Sequence, residues 1–166
     1  MRHQPDEDWD TTLTLPALAR EVPAIREQLN SKSMRDGTAK GTLAVTGHLE
    51  YDEEEDCLGD TLDPLMDTLQ TVGIPYDYFI EGIYQTEDTF HFFRPGASGE
   101  AGVRGATIAD EDGAPLVSLA ALRKAAAKNG GTIVLADFLK AQQLPQETLA
   151  AWAESHRTSL ENLQET

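Results

Sequence analysis

The amino-acid sequence predicts an α+β fold: a mainly antiparallel sheet of four to five strands, with N-terminal, central and C-terminal helices packed on it. Two patterns predict it. Stretches that alternate apolar and polar residues, such as "GTLAVTGHLEY" and "YDYFIEGIYQTEDTFHFFRPG", read as strands. Stretches with apolar residues three and four apart, punctuated by Pro, Gly or Asn, read as helices. Their order is helix, strand, helix, four strands and then helices, which is that of an α+β domain. With 166 residues, 40% of them hydrophobic, the chain is long enough to bury a core in one domain. The expected boundaries are a flexible N-terminus over 1–12 and a single domain over 13–166.

The elements follow in order. Leu15, Leu18, Val22, Ile25 and Leu29 lie at helical spacing, predicting a helix over 16–30 that Pro23 kinks or splits. "SKSMRDGTAKG" is a loop by its Ser, Asp and Gly content. Leu43, Val45, Gly47 and Leu49 then alternate with polar or small residues, as in a half-buried strand. In "DTLDPLMDTLQTVG" the buried stripe is Leu62, Leu65, Met66, Leu69 and Val72. Asp63 is the expected N-cap, Pro64 the first helical residue and Gly73 the C-terminal cap. Two strands, at 77–84 and 89–94, are joined by a turn at "QTED". A second hairpin has Asp112-Gly113 in its turn. Ser118 caps a helix that Asn129-Gly130-Gly131 stops. "TIVLADFLKAQQ" is a helix or begins as a short strand, and a last helix starts at Pro145.

The charge is where the sequence departs from the ordinary. There are 29 acidic and 13 basic residues, a net −16. The window from Gly41 to Phe93 holds thirteen acids and no Lys or Arg, so it carries −13 of that total. Residues 52–56 are five consecutive acids. A charge run alone is as readily a solvated loop. Adaptation to salt or selection for solubility would spread acids over the whole surface. A single-signed field confined to a third of the chain is more often a device for steering a partner.

Several functions are disfavoured. Direct binding to nucleic acid needs Lys and Arg to neutralise phosphate. The helix pair over 118–142 loosely resembles a helix-turn-helix, but its second helix has Lys140 as its only base. Cys57 is the only cysteine, so no internal disulfide forms, which fits a reducing compartment. The N-terminal "MRHQPDEDWDTT" has no apolar run, and no stretch is long and apolar enough to span a membrane. A cytoplasmic protein is the expectation. Counted from Asp52, acids fall at positions 1, 3, 5, 9 and 12, the order of a calcium loop. Position six needs Gly and is Cys57, and position twelve is Asp63 in place of a bidentate Glu, so no specific site is expected. His3, His48, His91 and His156 lack zinc spacing. His91 is expected to pack within its strand. No nucleophile or phosphate-loop motif appears, and anions around Cys57 oppose thiolate chemistry, so the chain is not expected to be an enzyme. No cofactor is expected.

What remains is an acidic interaction protein. The carboxylates assigned to the partner surface are Glu50, Asp52, Glu53, Glu54, Glu55, Asp56, Asp60, Asp63 and Asp67. On a strand or helix they lie about 5–7 Å apart, a line of charge comparable to phosphates on duplex DNA. The expected partner is a basic protein surface, in particular a nucleic-acid-binding groove. An inhibitor that mimics nucleic acid, of the kind phages and mobile elements direct against CRISPR or restriction systems, fits this pattern. The alternatives are an immunity or chaperone-like protein that masks a basic toxin or effector, and a small enzyme of unknown reaction.

Overall fold

A computed structural model describes residues 9–82, 86–97 and 100–165. It shows an α+β architecture with seven strands in one antiparallel sheet, and six helices. The strands are β1 (Trp9–Pro16), β2 (Met34–Asp36), β3 (Thr42–Asp52), β4 (Cys57–Asp60), β5 (Tyr76–Ile80), β6 (Thr89–Arg94) and β7 (Val103–Ile108). The helices are α1 (Pro23–Leu29), α2 (Asp63–Val72), α3 (Leu119–Lys128), α4 (Leu135–Ala141), α5 (Leu149–Ser155) and α6 (Arg157–Gln164). Strand order is β2-β3-β1-β5-β6-β7, and β4 joins β3 beyond the end of β2.

The strand count exceeds the four to five expected, because β1, β2 and β4 carried weak signals. β1 lies at the centre of the sheet, between β3 and β5. Its Thr11, Leu13 and Leu15 alternate at period two and are fully buried, but Leu15 also fits the helical spacing that follows it. Trp9–Thr12, which fall within the N-terminal stretch 1–12, belong to β1. Pro23 splits the predicted first helix. A 3₁₀ turn over Ala17–Glu21 precedes α1, and the break falls at Val22, whose extended backbone is what a following Pro demands.

Leu13, Leu15, Leu43, Val45, Tyr76, Tyr78 and Phe93 point to one face of the sheet. There they meet Ile25 and Leu29 of α1 and Leu65 and Leu69 of α2 to form the main core. Gly47 in β3 lets α2 approach. A Cβ there would stand 2.3 Å from Leu62 Cγ and 2.9 Å from Thr11 Oγ1. The opposite face carries a smaller cluster of Phe90, Phe92 and Ala109, with Phe79 against it.

Other expectations need correction. Asp63 is the first residue of α2 and caps nothing; the carboxylate that holds the entry is Asp60, whose Oδ1 accepts the Leu62 amide at 2.8 Å. Gly73 does close the helix, with φ 84° and its amide on the Leu69 carbonyl. The expected strand 77–84 is seen as β5, which ends at Ile80; its last two positions and Gln85 of the "QTED" turn lie outside the described residues. The second hairpin is reduced to one bridge, Ala109↔Pro115, around a turn with Gly113 at φ 82°. "TIV" is not a strand. The last helix starts at Leu149, capped by Thr148, and not at Pro145; it breaks at His156 into α5 and α6. The C-terminal helices do not all pack on the sheet. Trp152 and Leu160 of α5 and α6 join the main core, whereas α3 buries no side chain.

Candidate functional site: an acidic ribbon

Among the described residues, the register of β3 with β1 ends at Trp9↔Leu49. Glu50, Tyr51 and Asp52 pair with Gly59, Leu58 and Cys57 of β4. The result is a two-stranded ribbon leaving the β3 side of the sheet, and Glu53, Glu54, Glu55 and Asp56 form its turn. Asp56 adopts φ 49°, a left-handed conformation that Asp tolerates better than most residues. The Tyr51 hydroxyl donates to the Asp56 carboxylate. That bond, more than the surrounding anions, raises the phenol's pKa. Glu50, Glu53, Glu54, Glu55 and Asp56 are all exposed. Asp52 is paired in register with Cys57, and its side chain lies outside the described residues. Cys57 is exposed on β4.

The remaining acids assigned to the partner surface lie where the ribbon runs into α2. Asp63 and Asp67 are exposed on its first two turns; burial is the main reason the Tyr76 phenol pKa is raised, and the two acids add to it in the same direction. Asp60 is half-buried, and burial is the main reason its pKa is raised. Its carboxylate is committed to the Leu62 amide, so its part is to join ribbon to helix.

Charge balance in space differs from charge balance along the chain. Among the described residues, three bases from outside the window reach residues within it. Lys32 reaches the Thr61 carbonyl and lies near Asp60. Arg104 donates to Gln70 of α2. Arg94 pairs with Asp77 at 2.8 Å on the opposite face of the sheet. On the ribbon, among the described residues, no Lys or Arg lies within ion-pair reach of Glu50 or Glu53.

The Asp77–Arg94 pair was not legible in the sequence as a functional feature. Arg94 is 7% exposed; it donates to the carbonyls of Tyr76, Phe93 and Glu147, and so ties the segment before α5 to the sheet. Burial outweighs Arg94 and raises the Asp77 pKa. The contact is an ion pair without an aligned hydrogen bond, leaving Asp77 Oδ1 and Arg94 Nε buried with no hydrogen-bond partner. A register neighbour of Tyr78 in β6, His91 packs 5.9 Å from that ring, and burial lowers its pKa. Among the described residues, no group of three His, Cys, Asp or Glu converges to hold a metal ion. No described helix is long and apolar enough to cross a membrane.

We find no family model, curated protein or solved structure that matches this chain. The site's chemistry therefore rests on its geometry: a narrow, protruding, hydrogen-bonded ribbon that presents carboxylates to solvent on a fixed backbone.

Proposed function

We propose that the protein is an acidic inhibitor that enters the basic groove of a nucleic-acid-binding protein and occupies it in place of nucleic acid. The observation that carries this reading is the ribbon itself. Glu50, Glu53, Glu54, Glu55 and Asp56 stand exposed on a two-stranded ribbon of β3 and β4, and among the described residues no base lies within ion-pair reach of Glu50 or Glu53. Backbone pairing fixes the spacing of the charges, so less ordering entropy is lost on binding than for a loose acidic tail. Asp63 and Asp67 continue the negative surface along α2. A basic groove offsets the mutual repulsion of these carboxylates, and electrostatic steering raises the rate of encounter.

The test is recovery of the target from a bacterial lysate at low and high salt, followed by competition with DNA or RNA. The expected target binds nucleic acid, and nucleic acid displaces the protein from it. Reversal of Glu53, Glu54 and Glu55 to Lys slows association and leaves the fold intact. A target that retains the protein undiminished in saturating nucleic acid sinks the mimicry and moves the reading to masking of a basic effector. An unchanged association rate in the triple variant removes the ribbon from the interface altogether.

A further inference from the structure

The pair α3 and α4 stands apart from the rest of the fold. α3 buries no side chain and α4 buries only Phe138. Between them runs a groove of about 550 Å³, lined by small Ala121 and Ala125, by Phe138, and at its rim by the exposed Lys124 and Lys128 and one acid, Asp137. Ile133 and Val134 give it exposed apolar surface, at 39% and 51% exposure. The charge here is reversed from the rest of the chain. Between Gly113 and Gln146 there are four bases, Arg123, Lys124, Lys128 and Lys140, and one acid, Asp137.

The ribbon is the complement of this surface. Tyr51 and Leu58 are register partners on one face of it, 43% and 51% exposed, with the turn acids beside them. One surface is an apolar groove with a basic rim; the other is an apolar knob with an acidic rim. They lie off opposite sides of the sheet. The ribbon leaves from the β3 side. The segment after α4 packs at β7, where a Cβ on Gly105 would meet the Gln143 carbonyl oxygen at 2.2 Å. Four strand spacings separate β3 from β7, about 19 Å, so one molecule cannot close the contact on itself.

We propose that copies of this protein associate head to tail, the Tyr51/Leu58 knob of one ribbon seating in the α3–α4 groove of the next. The two patches differ, so the contact is heterologous and propagates into a ring or an open chain. Repulsion between the net charges of whole molecules is screened beyond about 8 Å at physiological salt, whereas apposed rims interact within that distance. The same ribbon serves the target-binding reading above, but the two fail separately. A monomeric protein that still binds its target sinks only the self-association.

The experiment is sedimentation velocity of the full chain from micromolar to sub-millimolar concentration. The wild type is expected to grow in mass with concentration. The triple variant E53K/E54K/E55K and the double variant K124E/K128E, each alone, lose affinity by about tenfold or more, since several charge pairs invert. Mixed in equal amounts they associate again, because the unaltered ribbon of the double variant meets the unaltered groove of the triple variant, and a Lys ribbon meets a Glu groove. Ala125→Trp, which fills the groove without changing its charge, abolishes association; circular dichroism confirms that each variant is folded. A wild type that stays monomeric throughout overturns the proposal, even if the groove then retains another acidic protein or a duplex. A mixture that stays monomeric, or an Ala125→Trp variant that associates like the wild type, overturns it equally.

Discussion

Arg94 is a cation almost wholly inside the fold, tolerated because Asp77 stands 2.8 Å away and three carbonyls accept its protons. Removing one partner of such a pair leaves the other charge without compensation. Asp77→Ala is expected to destabilise the protein by about 3 kcal/mol, read as a lower urea midpoint at unchanged slope. His91 contributes in the other sense. Burial lowers its pKa, so the unfolded chain takes up the proton first as pH falls. Stability is then lost as pH drops through the unfolded value, about 6.5, toward the lower folded one. Urea midpoints between about pH 7.5 and 5.5 should fall less for His91→Gln than for the wild type. Equal slopes in the two proteins would remove His91 as the source.

At the scale of elements, the approach of α2 to β3 depends on a missing side chain. Leu62 is fully buried and sits over Gly47, where a Cβ would overlap its Cγ. Gly47→Ala is expected to push the start of α2 outward and to cost about 1–3 kcal/mol by overpacking. Because Asp60 links the same point to the ribbon, hydrogen exchange in that variant should rise first at Leu62 and the β4 amides. Protection there equal to wild type would show that the joint absorbs a methyl group without moving. α3 gives the contrasting case. Ser118 accepts the Ala121 amide and Gly130 and Gly131 have positive φ, so both ends read clearly, yet nothing is buried beneath it.

For the whole molecule the question is what a net −16 does to folding. Glu50, Glu53, Glu54, Glu55 and Asp56 of the ribbon are exposed, so their repulsion is long-ranged and open to screening. Wild-type thermal stability is expected to rise as salt increases from about 0.01 to 0.3 M, over which the Debye length shrinks from about 30 Å to several Å. Replacing Glu53, Glu54 and Glu55 by Gln should raise the midpoint at low salt and flatten this dependence, as measured by calorimetry. A variant with the same salt slope as the wild type would place the repulsion elsewhere in the molecule.

The α+β class, the break at Pro23, Gly73 as the end of α2 and Ser118 as the start of α3 all follow from local chemistry: ring closure at Pro, freedom of φ at Gly, a hydroxyl within reach of open amides. The sequence by itself determined these because each cause lies within four residues of its effect. The acids of the ribbon were legible as a run, but not the ribbon. Cys57 to Asp60 contain Gly and Asp, poor strand formers, and become β4 only because β3 offers an unpaired edge. β1 was hidden for a related reason, since Leu15 suits two periodicities and only pairing with both β3 and β5 selects one. The meeting of Asp77 with Arg94, of Lys32 with Thr61, and the separation of acidic ribbon from basic groove were decided by the tertiary structure alone. Charges far apart in sequence acquire partners, or lose them, only when the order of strands sets which edges face solvent.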